Sequence, residues 1–305
     1  MKTGDISSLF ELHGLKIENF NNESIFDFNY AKIVSLFEKH GIILFRNFDI
    51  APDRLTDFTD IYTEKYARDA YRRKSRFKTS NIHDVDLGRD AHTLHSEASY
   101  SPACPEVIWF YCNIPPVIGG ETILCDGIKL WKKLSNKTKA FFLTQPMRFD
   151  LEVPTGIIRK RAEQQLWVPT TPGTSGFIDW NKGSFVFTQL QYAVQITRLG
   201  NSLSFSNHLL AELGKDPQIK NNSMIMADGN KVPKKYLDEI KEKSNKLTYD
   251  HIWKKNDLLM IDNKRFLHGR RSFDDKVDRD IVIVQTQRAS FGYGSTTRNK
   301  IVDNE

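Results

Sequence analysis

Of the eight histidines in the chain, only His95 has an acidic residue two positions on, giving His95-Ser96-Glu97. In an extended chain, residues i and i+2 point to the same side. An imidazole nitrogen and a carboxylate oxygen can then take adjacent corners around one metal ion. A third ligand from a distant strand would close a triangular face and leave the opposite positions open, as in a two-histidine, one-carboxylate iron(II) site. The pair alone carries little weight. With 38 acidic residues in 305, eight histidines yield about one such pair by chance.

Three further segments add to it. Asp262-Asn263-Lys264-Arg265-Phe266-Leu267-His268-Gly269-Arg270-Arg271 follows an apolar run, Leu258–Ile261, and precedes another, which places His268 on a loop at a sheet edge. Arg279 lies eleven residues after His268, at the start of the run Ile281–Thr286. Oxidising C–H bonds with iron and dioxygen requires two further electrons from a sacrificial keto acid. The far carboxylate of that keto acid needs a fixed cation, and the planar fork of arginine suits it. Gly119-Gly120-Glu121-Thr122 reads as a tight turn with Thr122 opening the next strand. Each feature alone is more ordinary than functional: a turn histidine, a surface arginine, a hairpin.

The elements that must hold these residues are mainly strands. Residues 30–39 and Pro52–Tyr66 have helical spacing, and Gly41 ends the first helix. Ile42–Phe45 reads as a buried strand. Beyond residue 100, strand-like runs appear at Val107–Cys112, Thr122–Cys125, Phe185–Gln189, Asn201–Ser206, Leu258–Asp262 and Ile281–Thr286, with short helices at Gly127–Leu134, Asn136–Thr144 and Pro233–Lys246. The pattern is mainly β with flanking α, a double-sheet barrel or jelly roll.

Composition narrows the class. Hydrophobic residues make up 39% and aromatics 11% of the chain, as in an ordinary globular protein. The net charge of +6 is dispersed; the densest run, Arg72-Arg73-Lys74 with Arg76 and Lys78, reads as a solvated face, and no nucleic-acid motif accompanies it. The three cysteines, Cys104, Cys112 and Cys125, form no C-x-x-C pair, and no signal peptide or membrane-length apolar run is evident. A cytoplasmic protein acting on a small molecule, without nucleic-acid or membrane partners, is expected. Oligomeric state is not readable.

Taken in order, HGIILFRNF (40–48), LHSEASYSPACPEVIWFYC (94–112), GGETILCDG (119–127), LGNSLSFSNH (199–208) and VPKKYLDEIKEK…WKKNDLLMIDNKRFLHGR (232–270) resemble the taurine dioxygenase and clavaminate synthase-like family of iron(II)/2-oxoglutarate oxygenases. The resemblance covers nearly the whole chain. It implies one domain over 1–305 with a double-stranded β-helix (jelly-roll, cupin-like) core, flanked by helices in 30–66. It further implies iron(II) bound by His95, Glu97 and His268, and 2-oxoglutarate held by Thr122 and Arg279, with O2 consumed in hydroxylation, desaturation or cyclisation of a small amino-acid-like or secondary-metabolite substrate. Glu97 stands where many members carry Asp. Some members with acidic substrates carry a second Arg four residues past the first; here that position is Ile283.

Two rival readings remain at this level. A zinc hydrolase could use His92, His95, Glu97 or His268, although H-E-x-x-H is absent and Thr122 and Arg279 would then have no role. A non-catalytic β-barrel binding protein is the other. Ser99, Tyr100, Asn207 and Arg270 are candidates for lining a substrate pocket; His208 reads rather as a core histidine. The segment 153–180, with Arg159, Arg161, Gln164, Gln165 and Trp167, is either a lid over the metal or a surface excursion.

Overall fold

Val107–Cys112 is apolar at every position, which a strand covered on both faces requires. The structure, a computed structural model, divides these side chains by alternation. Ile108, Phe110 and Cys112 enter one apolar cluster; Val107, Trp109 and Tyr111 enter another on the opposite face. The same split separates Ile42 and Leu44 from Ile43 and Phe45, Leu259 and Ile261 from Leu258 and Met260, and Ile281 and Ile283 from Val282 and Val284. The structure describes residues 5–9, 14–67, 73–76, 81–85, 88–101, 104–154, 173–179, 181, 183–211, 223–274 and 278–292.

In chain order the strands are β1 (Asp5–Ser8), β2 (Leu15–Glu18), β3 (Ile42–Arg46), β4 (Thr63–Tyr66), β5 (His83–Asp84), β6 (His92–His95), β7 (Val107–Ile114), β8 (Thr122–Asp126), β9 (Met147–Pro154), β10 (Thr174–Asp179), β11 (Ser184–Gln191), β12 (Gln195–Ile196), β13 (Leu203–Ser204), β14 (Ser223–Met226), β15 (Tyr249–His251), β16 (Leu258–Asp262), β17 (Phe266–Arg270) and β18 (Asp280–Ala289). The helices are α1 (Tyr30–His40), α2 (Leu55–Asp60), α3 (Gly127–Lys133), α4 (Asn136–Thr144) and α5 (Lys234–Leu247).

A large sheet runs β1-β2-β3-β16-β7-β18-β4, with β5 also on β18, and a smaller one runs β15-β8-β17-β6. Apolar side chains of β3, β7, β16 and β18 meet Leu124 of β8 and Phe266 of β17 to form the interior of the double-stranded β-helix. The outer face of the large sheet is covered by α1 and α2 through Ile33, Phe37, Leu55 and Phe58. The outer face of the smaller sheet packs, through Ile123, Cys125 and Leu267, on α3, α4 and α5. A third sheet, β10-β11-β9-β14, adds Met147, Phe149 and Met226 to that layer. No helix among the described residues is long and apolar enough to cross a membrane.

Several boundaries differ from the sequence reading. The helix over Pro52–Tyr66 is a 3-10 turn, Pro52–Arg54, followed by α2, and it stops at Asp60 because Thr63–Tyr66 pairs with the edge of β18. Ile61 is consequently exposed. Asn201–Ser206 shrinks to the two residues of β13. Met147–Pro154 was not anticipated as a strand, and Thr174–Asp179, within the expected lid, is a strand paired with β11. The rest of that segment, residues 155–172, with Arg159, Arg161, Gln164, Gln165 and Trp167, lies outside the described residues.

One buried ion pair joins the β16–β17 turn to the helical layer. Arg265, 1% exposed, donates to Asp126 through Nη2 (2.8 Å) and Nε (3.4 Å) and to the Lys39 carbonyl through Nη1 (2.9 Å). Asp126 in turn accepts from the Ile128 amide as the N-cap of α3. Removing one member strands a buried charge. Arg265→Met should therefore lower the unfolding free energy by about 3–5 kcal/mol, read as a reduced urea midpoint with an unchanged slope.

Candidate metal centre

Strand β17 sets the site. Alternation turns Phe266, His268 and Arg270 into the barrel and Leu267 outward. His268 lies opposite His95 of β6 on one side and Leu124 of β8 on the other; Arg270 lies opposite Thr122. The sequence reading had placed His268 on an edge loop. It is instead mid-strand and 4% exposed. Asp262 makes the difference: its carbonyl accepts from the Arg265 amide and its carboxylate from the Lys264 amide, so the chain reverses at once into β17. Gly269 lets β6 approach, because a Cβ there would collide with the His92 carbonyl oxygen and lie 2.9 Å from that of Thr93.

Glu97 reaches the site from a turn rather than from a strand. Ala98 takes a left-handed conformation (φ 47°), and Asn263 fastens the turn. The Asn263 side chain accepts from the Glu97 amide (2.8 Å) and donates to the carbonyls of Glu97 (3.0 Å) and Pro105 (2.9 Å). Its own carbonyl accepts from the Ser96 and Ser206 hydroxyls.

One nitrogen or oxygen from each of His95, Glu97 and His268 lies within 4.8 Å of the other two. Glu97 Oε2 is 3.8 Å from His95 Nε2 and 3.7 Å from His268 Nε2, and the two imidazole rings are 4.6 Å apart. His95 Nδ1 is 2.7 Å from the Thr93 carbonyl, which selects the tautomer protonated at Nδ1 and turns Nε2 toward the cluster. Burial, then the neighbouring His95, pushes the His268 pKa down to about 4, so that ring is neutral. Its Nδ1 is buried with no hydrogen-bond partner among the described residues. Burial alone would raise the Glu97 pKa; the Arg73 guanidinium, followed by the two neighbouring imidazoles, outweighs it and holds the carboxyl well below the usual range. Two imidazoles and one carboxylate are the donor set that suits a divalent iron ion. His92 is not in this cluster.

The polar groups near this triad were only partly expected. Arg73, read from sequence as part of a solvated basic run, places Nη2 3.2 and 3.3 Å from the two Glu97 oxygens. His208 packs edge-on against His95 (5.4 Å) and Tyr100 (4.9 Å), near the Ser96 carbonyl, and burial followed by His95 pushes its pKa down to about 3. No spacing rule marks either residue. Ser99 is buried with no partner for its hydroxyl among the described residues. Asn207 has both ends of its amide engaged, donating to the Ala193 carbonyl and accepting from the Leu209 amide.

Further along the interior, Arg279 donates from Nε to the Gly120 carbonyl (3.1 Å), and no carboxylate lies within ion-pair distance of it among the described residues. Arg270 and Arg279 both lie against the Phe273 ring, at 5.1 and 5.6 Å. Burial, then the charge of Arg270, lowers the Arg279 pKa to about 10. Two guanidinium groups held this close in a partly dry pocket favour an anion between them. Thr122 Oγ1 accepts from Trp253 Nε1 (3.1 Å), which frees its own O–H to donate. Arg270 also donates to the carbonyls of Gly88 and Asp90. Arg288, nine residues beyond Arg279 on β18, is exposed and paired with Glu64.

A family model described as "Taurine catabolism dioxygenase TauD, TfdA family" matches residues 7–285. The dapdiamide synthesis protein DdaC of Enterobacter agglomerans is 24% identical over 277 residues, spanning 81% of this chain and 83% of that protein. Among solved structures, AAD-2 in complex with Mn(II) and N-oxalylglycine has a TM-score of 0.60 at 16% identity, covering 96% of this chain and 99% of that one. PvcB, described as an Fe, alpha-ketoglutarate dependent oxygenase from an isonitrile synthetic pathway, has a TM-score of 0.55 at 14% identity, covering 90% and 85%.

Asn263 links the Glu97 turn to β17, so its loss should act on the metal as well as on the fold. Asn263→Ala should cost about 1–3 kcal/mol of stability and weaken metal binding roughly tenfold or more. Calorimetric titration with iron(II) under argon, beside a denaturation curve, checks both.

Proposed function

The chain belongs to the taurine catabolism dioxygenase TauD, TfdA family, and from that premise we propose that His95, Glu97 and His268 hold the iron(II) of a 2-oxoglutarate-dependent oxygenase, with Thr122 and Arg279 gripping the far carboxylate of 2-oxoglutarate. The observation that carries this reading is the convergence of two imidazoles and one carboxylate, within 4.8 Å, on the inner face of the barrel. Iron(II) with 2-oxoglutarate and O2 supplies the oxidising power: the keto acid is decarboxylated to succinate and CO2 while a substrate C–H bond is oxidised, hydroxylation being the principal outcome and desaturation or cyclisation the others.

The residues of the chain perform the remaining tasks. His95 and His268 present unprotonated nitrogens, one fixed by the Thr93 carbonyl and the other by burial. Glu97 remains ionised through Arg73. Trp253 turns the Thr122 hydroxyl so that it donates, and the Gly120 carbonyl anchors Arg279 beside it in the chain's Gly-Gly-Glu-Thr turn. Phe110, 5.5 Å from the His268 ring, excludes water on the large-sheet side.

On the substrate side we place Tyr100, Ser99 and His208, which surround the His95 edge of the triad. Arg270 sits at the Arg279 end, which assigns it to the cosubstrate rather than to the substrate. Asn207 braces the loop that carries His208. Ile283, buried among Ile281 and Phe110, offers no cation for a sulfonate. The printed descriptions of the relatives, dapdiamide synthesis and an isonitrile pathway, support a small amino-acid-like or secondary-metabolite substrate. The described cysteines are free, and burial pushes all three thiols up to about 12, which fits a reducing compartment such as the cytoplasm.

Anaerobic addition of iron(II) and then 2-oxoglutarate to metal-free protein should produce the visible absorption of a keto acid chelated to iron. Iron binding without that absorption would sink the reading. His268→Ala should abolish iron binding. Arg279→Ala should leave iron binding intact and raise the 2-oxoglutarate concentration needed by about 10- to 100-fold; an unchanged requirement moves the clamp elsewhere.

A further inference from the structure

Arg73 touches both oxygens of the Glu97 carboxylate without itself belonging to the donor cluster. It is fixed in place from behind. The Lys74 carbonyl accepts from the Asp84 amide (3.0 Å), the Arg76 amide donates to the Ile82 carbonyl (3.0 Å), and Ser75 bridges to His83. Strand β5 is in turn paired with Val282 and Ile283 of β18. Arg76 adds ion pairs to Asp84 and Asp280. The segment that carries Arg73 is thus clipped to the large sheet, and its guanidinium crosses the barrel mouth to a carboxylate carried by the smaller sheet's turn.

One donor spans both oxygens of the ligand carboxylate. Oε2 of Glu97 is 3.8 and 3.7 Å from the two histidine nitrogens. Arg73 Nη2 lies 3.2 Å from Oε1 and 3.3 Å from Oε2, in the place between the two oxygens that a chelated ion would need. Carboxylates bind metal ions through one oxygen or through both. Glutamate, one methylene longer than aspartate, has the reach to swing its second oxygen toward the ion. Doing so would occupy a position that the keto acid needs.

We propose that Arg73 is a positioning residue that bridges the two oxygens of Glu97 and so keeps this carboxylate single-toothed toward a bound ion, leaving room there for 2-oxoglutarate. The inference rests on the assignment of the triad and adds a function to a residue outside it. It also gives a physical reason why glutamate can stand here without closing the site: the extra reach is restrained by a guanidinium anchored to the opposite sheet.

The test uses the full chain, metal-free, with iron(II) alone and then 2-oxoglutarate as probes under argon. Arg73→Gln should weaken iron(II) binding only slightly, because the bound ion itself keeps Glu97 charged, yet need roughly 10- to 100-fold more 2-oxoglutarate, with the iron–keto acid absorption weakened or displaced. Arg73→Lys, which keeps the charge but presents one compact donor, should fall between the two. Adding Glu97→Asp to Arg73→Gln should recover 2-oxoglutarate binding, because the shorter carboxylate lacks the reach. If Arg73→Gln takes up 2-oxoglutarate as the native protein does, the proposal fails. It fails equally if iron and 2-oxoglutarate binding fall in parallel, since Arg73 would then only hold Glu97 in place. A native protein that binds iron without the absorption overturns the oxygenase reading, and this inference with it; native absorption beside an unaffected Arg73→Gln overturns this inference alone.

Discussion

The pairing of His268 with His95 across β17 and β6 constrains everything else at the centre. Directly opposed residues of an antiparallel pair have Cα atoms roughly 4.5–5.5 Å apart, so two donors distant in the chain are brought together by main-chain hydrogen bonds rather than by side-chain contacts. The approach depends on Gly269, and the register breaks beyond it, where Arg270 pairs with His92 instead. The same strand therefore sends one side chain to the metal and the next inward one toward Arg279 and Phe273. With the large sheet closing over it, the imidazole of His268 is dry enough to remain uncharged, the form in which it can be a ligand.

The turn between β16 and β17 joins these parts. Asp262 reverses the chain and donates its amide to the Gly41 carbonyl at the end of α1. Asn263 secures the Glu97 turn, and Arg265 runs back to Asp126 and Lys39. Three residues of one turn thus connect the two barrel sheets, two helices and the Glu97 carboxylate. A change in this turn propagates to the donor cluster without touching it, and buried polar networks of this kind lose more than one bond's worth when broken.

Much of this was legible in the chain. Strands buried on both faces announce themselves as unbroken apolar runs, as in Val107–Cys112, and the ordered series of short segments led to His95, Glu97 and His268, which the structure does bring together. What escaped was set by partners remote in sequence. DNKRFLHGR is too polar to look like a strand, because its inward positions carry chemistry rather than packing. Thr63–Tyr66 has helical spacing with what precedes it, and only the free edge of β18 makes it a strand. Arg73 looked like one more solvated cation because nothing local distinguishes it from Lys74 or Arg76; its partner is fixed by the clip to β18. His208 was read as serving the core, and no periodicity shows that its ring meets His95.

The donors are held by hydrogen bonds that the protein makes with itself: Thr93 to His95, Asn263 to the Glu97 turn, and the strand ladder to His268. A scaffold that arranges its ligands in this way does not choose its ion by folding around the right one. Copper and zinc outrank iron at nitrogen and oxygen sites in the general affinity order of divalent first-row metals. Which ion such a pocket carries is therefore decided outside the protein, by what the surrounding compartment leaves free, and recombinant material purified in air over nickel resin would carry whatever the column supplied.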